Sequence, residues 1–275
     1  MKIRIGAQLH PQHCTYDEIA KAAVACDEAG ADTLWTWDHF FPLYGVPGAP
    51  MGESFGPNTE GHPLRGAHFE AWTLLTAFAC VTKRVELGHL VNCNSYRNPQ
   101  LLADMARTVD HISHGRLILG IGSGWYDKDY TEYGYEFGTA PSRLKDLGVN
   151  LPIIKERLAK LNPAPTREIP FMIGGGGEKV TLKLTAQFAD IWNGYGDVEQ
   201  LGHKCRVLDE WCEKVGRDPK AIERSVMLME PAKPEYLDAL LEVGVTHFIQ
   251  GMGTPFSTEP LKKLLEWREN RLAKV

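Results

Sequence analysis

No apolar run in the 275-residue chain approaches the ~18 residues that a bilayer-spanning helix needs. The six cysteines, Cys14, Cys26, Cys80, Cys93, Cys205 and Cys212, are scattered and form no C-x-x-C pair. That excludes a zinc ribbon, a thioredoxin-type redox motif and a disulfide scaffold, and leaves reduced thiols as the expectation. Long Lys/Arg runs are also missing, and the 30 basic residues fall short of the 35 acidic ones, for a net charge of −5. Neither nucleic acid nor a membrane surface is therefore expected as a main partner. The start, MKIRIGAQL, passes from a short charged segment into a strand with no signal-peptide pattern, which points to the cytoplasm. Only HPQH, from His10 to His13, has metal-ligand spacing. It has no third ligand close in sequence, so no metal is expected.

What the chain does have is regular alternation. KIRIGAQL reads as a strand, and Thr15 and Glu18 form a capping box that opens an Ala-rich helix ending at Gly30. DTLWTW is a second strand. After a long irregular stretch, FEAWTLLTAFACVT reads as a helix and RVELGHLV as a third strand. Asn98 and Pro99 then start a helix that runs to Gly115. RLILGIG is the fourth strand, and its helix spans about 141–161. IPFMIG, DIWNG, ERSVMLME and THFIQG follow as strands five to eight, each trailed by a helix, with Asp197 capping the sixth helix and Gly216 ending it. Eight strands and eight helices in strict order predict a single (β/α)8 TIM barrel over 1–275, a length close to the ~250 residues typical of that fold. Residues 45–68 form a Gly- and Pro-rich insertion after strand two. Loops of that length are commonly functional, and this one reads as a lid over the pocket.

In such a barrel the chemistry gathers where strands end and helices begin. Strand two delivers Asp38 and His39 there, flanked by the aromatics Trp37, Phe40 and Phe41. Locally they read equally well as a turn cap and a satisfied histidine. The barrel context favours an acid and an imidazole facing the mouth, and a histidine's ordinary pKa of about 6.5 lets it give or take a proton. Trp125 and Tyr126, after strand four, add aromatic surface. Gly120, Gly122 and Gly124 imitate a dinucleotide fingerprint, but no helix starts at once after them, so that reading fails. The run Gly174, Gly175, Gly176 and Gly177 lies directly between strand five and a helix. Its free amides and the helix dipole predict phosphate binding rather than a plain turn.

The segments RVELGHLVNCNSYRNPQLLADMARTVDHISHGRLILGIGSGW and IPFMIGGGGEKVTLKLTAQFADIWN resemble the two hallmark segments of the luciferase-like superfamily of flavin and deazaflavin oxidoreductases. TLWTWDHFFP is similar to the strand-two signature of members that use the deazaflavin coenzyme F420. The resemblance implies a homodimeric (β/α)8 barrel with the cofactor ring at its C-terminal mouth. It places Asp38 near the ring, His39 as the proton-transferring residue, a non-proline cis peptide at Leu90–Val91 with Asn92 next, and Gly174–Gly177 as the phosphate loop. Ser123 stands where the sugar-phosphate dehydrogenases of the family carry a glutamate, which disfavours that substrate.

These readings together lead to an oxidoreductase moving a hydride between coenzyme F420 and a small, uncharged organic substrate held among Trp37, Phe40, Phe41, Trp125 and Tyr126. Only Arg65 and Arg97 lie in nearby loops as anion clamps. An FMN-dependent monooxygenase and a non-catalytic cofactor carrier are the alternatives.

Overall fold

The computed structural model describes residues 2–44 and 67–273. The chain alternates β1 (Arg4–Leu9), α1 (Tyr16–Ala29), β2 (Thr33–Thr36), α2 (Ala71–Val81), β3 (Glu86–His89), β4 (Asn92–Cys93), α3 (Pro99–Ile112), β5 (Leu117–Gly122), α4 (Asp127–Tyr133) and α5 (Ala140–Lys160). It continues through β6 (Phe171–Gly174), α6 (Thr181–Phe188), β7 (Ile191–Gly194), α7 (Val198–Val215), β8 (Glu223–Leu228), α8 (Pro234–Glu242), β9 (His247–Met252) and α9 (Glu259–Leu272). Every paired strand is parallel. The order β3-β2-β1-β9-β8-β7-β6-β5-β4, with β3 also pairing β5, closes the sheet into an eight-position barrel. The predicted (β/α)8 architecture is the observed one.

Two details differ from the sequence reading. The third predicted strand is two pieces, β3 and β4, because the chain breaks out of the ladder at Leu90 and Val91. The stretch after β5, read as loop, contains the short helix α4. The insertion read as a lid lies, from residue 45 to 66, outside the described residues.

Local signals set the element ends. Thr15 and Glu18 exchange the two capping-box hydrogen bonds, and Gly30 closes α1 in the left-handed region at φ 99°. Asn98 accepts from the amides of Gln100 and Leu101, with Pro99 at the first helical position. Asp197 and Gln200 form a second capping box at α7.

Strand alternation then sorts side chains between two layers. Along β5, Leu117, Leu119 and Ile121 join the large cluster between barrel and helices, which also takes Ile5, Leu34, Leu87, Phe171 and Phe248. Ile118 turns inward, to a smaller cluster with Trp35, Met172, Ile191 and Ile249 inside the barrel. At the N-terminal end Arg4 bridges Glu86 and Glu223, and Thr33 shares a 2.8 Å hydrogen bond with His247. All six cysteines are free, and no helix of the described residues is long and apolar enough to cross a membrane.

Several histidines are buried in this scaffold. Burial pushes the His10 imidazole down to about 3 and that of His89 to about 4, and it lowers His247 as well. Below the ordinary value of about 6.5 the unfolded chain therefore binds more protons than the native one, and stability falls with pH. Each such histidine removes up to about 1.4 kcal/mol per pH unit between about 6.5 and its native value. Urea unfolding is expected to show a midpoint that drops steadily from pH 7 to pH 5. His89→Gln should flatten that slope by one proton, and a flat wild-type profile would contradict neutral buried imidazoles.

Candidate active site

The C-terminal mouth of the barrel is built around the break in the third strand. After His89 the chain crosses a cis peptide between Leu90 and Val91 and rejoins the sheet at Asn92. The Leu90 amide donates to the Thr36 carbonyl at 2.7 Å, and the Leu90 carbonyl accepts from Gln8 Nε2 at 2.9 Å. This bulge projects inward because the facing strands offer no side chains there. A Cβ on Gly122 would stand 2.7 Å from Val91, and one on Gly174 would stand 2.9 Å from it. Val91, Gly122 and Gly174, with half-buried Ser123 alongside, thus form one apolar wall. The Asn92 side chain is committed behind that wall: it accepts from Trp72 Nε1 at 2.7 Å and from Arg97 at 3.3 Å, and donates to the Cys93 carbonyl.

The glycine run continues the wall, and its members have different reasons to be glycine. Gly174 is packed against Val91. Gly175 has φ 123°, a conformation that side chains avoid. A Cβ on Gly177 would press within 2.8 Å of Thr181 Oγ1, whereas one on Gly176 would meet nothing closer than 3.8 Å, the end of Lys204. The Gly175 amide is bonded to the Asn193 carbonyl. Those of Gly176 and Gly177 have no acceptor among the described residues and lie just before α6 in the chain. They border a cavity of about 400 Å³ lined also by Leu144, Glu178, Lys179 and Lys204. Lys204 is held there by Glu178, which His203 also contacts at 3.1 Å. Free amides, a helix start and an ammonium group are the donor set of a phosphate site, so the residues present fit a phosphate-bearing cofactor.

Asp38 and His39 are adjacent in sequence, and the extended chain sends them to different places. Asp38 is buried and grips Arg97 through both carboxylate oxygens at 2.6 and 3.0 Å, while also accepting from the Cys93 amide at 2.9 Å. Arg97 in turn reaches Glu70, the N-cap of α2, at 2.8 Å. Asp38 therefore ties β2 to β4 and is spent on that task. Arg97, one of the two arginines in loops near the mouth, is neutralised by two carboxylates; Arg65 lies outside the described residues.

His39 instead donates from Nδ1 to Asp129 Oδ2 at 2.6 Å. Asp129, fully buried in α4, also accepts from the Phe40 amide at 3.0 Å and from the Tyr96 hydroxyl at 2.9 Å. A carboxylate so anchored fixes the tautomer, with Nδ1 carrying the proton that faces Asp129 and Nε2 as the other ring nitrogen. Trp37, Trp125 and Tyr126 present themselves edge-on around the His39 ring at 5.6 to 6.2 Å. Trp125 is the exposed one, at 56 %. Phe40 turns away into an aromatic cluster with Tyr96 and Tyr133, and Phe41 touches the same Tyr133. Of the HPQH segment, the His10 ring contacts the Tyr44 hydroxyl and the His13 ring its carbonyl at 2.9 Å, so both are engaged with one tyrosine.

Sequence reasoning missed Asp129 and Lys204. Asp129 sits 90 positions from His39 on a helix that DKDYTEY signals weakly, and Lys204 lies inside an ordinary amphipathic helix. The separate roles of the four glycines yield a stability test. Gly175→Ala should cost about 1–3 kcal/mol through strained backbone, and Gly174→Ala should also destabilise. Gly176→Ala should stay within about 0.5 kcal/mol of the parent in urea unfolding.

The comparisons with known proteins bear on the family and the fold. The profile of the luciferase-like monooxygenase family matches residues 1–148. An uncharacterized protein of Mycobacterium tuberculosis is 26% identical over 197 residues, 66% of this chain and 69% of that protein. An F420-dependent glucose-6-phosphate dehydrogenase of Amycolatopsis mediterranei is also 26% identical over 197 residues, which cover 65% of this chain and 53% of that enzyme. Among solved structures, an F420-dependent secondary alcohol dehydrogenase in complex with an F420–acetone adduct superposes with a TM-score of 0.79. It does so at 16% identity, over 97% of this chain and 98% of that one. Matched across more than half its length by the family profile, and carrying the bulge, the glycine wall and the buried histidine–aspartate pair on a closed barrel, this chain belongs to the luciferase-like monooxygenase family.

Proposed function

We propose that this protein is an oxidoreductase that uses the deazaflavin coenzyme F420 and acts on a small, uncharged organic substrate. The observation that carries this reading is the placement of the His39–Asp129 pair beside a wall fit for a flat ring and a phosphate. The F420-dependent relatives supply the cofactor's identity. When bound, the deazaflavin gives or accepts the hydride. Gly176, Gly177 and Lys204 would hold its phosphate, and Val91 would back its ring.

The protein's own part is the proton. His39, oriented by Asp129, delivers it from Nε2 to the oxygen or carbon adjacent to the carbon that receives the hydride, or removes it in the reverse direction. The surrounding rings of Trp37, Trp125 and Tyr126 keep that nitrogen in an apolar setting, which strengthens each polar contact made there. Ser123 and the neutralised Arg97 offer no charge to a sugar phosphate. FMN carries a phosphate that the same glycine run would accept, and the family name makes flavin-dependent oxygenation the second reading.

Fluorescence titration of the purified protein with F420 and with FMN decides between them, and tight FMN binding without F420 binding would sink the deazaflavin assignment. Lys204→Ala is expected to weaken cofactor binding about tenfold, or ~1.4 kcal/mol. His39→Ala should lower kcat by roughly 100- to 10,000-fold with cofactor affinity retained. Asp129→Asn should lower kcat in the same direction and to a lesser extent. Full turnover by His39→Ala with cofactor bound removes His39 from the chemistry.

A further inference from the structure

The wall formed by β5 and β6 has an opposite number. Around the closed barrel β1 lies across from β6 and β9 across from β5. At the end of β1, on the inward-facing row that also holds Gly6 and Gln8, stands His10. It is wholly buried, and its ring is stacked on Trp37 with centroids 4.3 Å apart. Its Nδ1 is engaged by the Tyr44 hydroxyl. Its Nε2 has no partner among the described residues, and neither has Oε1 of Gln8 on the same row.

An unpaired buried ring nitrogen costs about 1–3 kcal/mol, so its retention calls for a compensating contact. The strand beside that nitrogen carries no side chain there: Nε2 faces Gly251 of β9, where a Cβ would stand 3.3 Å away. At the other edge of the ring, a Cβ on Gly253 would strike the Tyr44 hydroxyl at 2.8 Å. Tyr44 is itself firmly placed: its carbonyl accepts from Gln12 Nε2 at 3.2 Å and contacts the His13 ring, and Gln12 Oε1 holds the Leu43 amide at 2.8 Å.

We propose that His10, oriented by Tyr44, is a specificity-determining contact for the substrate, making one hydrogen bond through Nε2 to a neutral hydroxyl or carbonyl remote from the reacting atom. The substrate class is then an uncharged ketone, enone or alcohol with a second polar oxygen on the side away from the cofactor wall. The inference rests on the reading of the site given above. Trp37 separates the two imidazoles: His10 lies flat on one side of it and His39 meets it edge-on at 6.2 Å. One histidine thus serves the reaction and the other serves recognition. Burial keeps His10 neutral, with a pKa held down to about 3, so it suits a neutral oxygen and gives a phosphate or carboxylate no countercharge.

Two uncharged probes test this on the full chain, cyclohex-2-enone and 4-hydroxycyclohex-2-enone. In protein labelled with nitrogen-15 histidine, the His10 resonances are assigned by their loss in His10→Phe. The hydroxylated probe is expected to move the Nε2 resonance and the parent enone to leave it in place. With reduced F420 as donor, kcat/KM should favour the hydroxylated probe by about tenfold, or ~1.4 kcal/mol. His10→Phe, which keeps a ring on Trp37, should bring that ratio close to 1 through KM, with cofactor affinity unchanged. Gly251→Ala, which crowds Nε2 without touching the His10–Tyr44 pair, should also lower it. A resonance unmoved by the hydroxylated probe, or a preference that survives His10→Phe, overturns the proposal. The resonance measurement needs no cofactor, so failure of F420 to bind would remove the deazaflavin reading without deciding this one.

Discussion

The mouth of this barrel depends on how closely the 89–91 bulge approaches three glycines. A Cβ on Gly120 would lie 1.9 Å from the His89 carbonyl oxygen, and those on Gly122 and Gly174 would collide with Val91. One turn lower, Gly88 yields its place to Trp35, whose ring a Cβ there would meet at 2.5 Å. Three strands thus surrender side chains so that the bulge backbone with Val91, and the Trp35 ring of β2, can fill the barrel. The result is a closed, apolar floor with a wall of main chain above it. A flat heteroaromatic ring needs such a surface, and a barrel lined by its own side chains would not provide one.

The charges around that floor are distributed so that none stands idle. The guanidinium of Arg97 is spent on Asp38 and Glu70, and in return fixes the ends of β2 and β4 against α2. Breaking such a buried pair on one side leaves an uncompensated charge, so the clamp is rigid. The ammonium of Lys204 stands at the glycine run, balanced by half-exposed Glu178, which it shares with His203. Asp129 takes three donors and steers His39. On the far side of Trp37 the polar groups are neutral. The Lys204 end, the His39–Asp129 pair and the His10–Tyr44 pair follow one another around the mouth.

Much of this was legible in the chain. Alternating strand and helix patterns, capping residues at Thr15, Asn98 and Asp197, and glycine stops at Gly30 and Gly216 encode the barrel locally, since each depends on neighbours within four residues. The glycine run and the Asp38–His39 pair marked the functional end, because strand-to-helix junctions of a barrel all open on one side. The pairing of roles was not legible. Asp38 read as a residue near the cofactor ring, and its ion pair with Arg97 was not legible, because that partner lies 59 positions away.

By itself, then, the sequence determined the barrel, the side on which it works and the residue types gathered there, since periodicity and turn chemistry are short-range. Only the tertiary structure decided which acid meets His39, why Gly176 differs from its three neighbours, and that His10 stacks on Trp37 beside Gly251. Those outcomes are set by contacts between strands and loops far apart in the chain. Their strength comes from burial and from distances of a few ångströms, which no local pattern encodes.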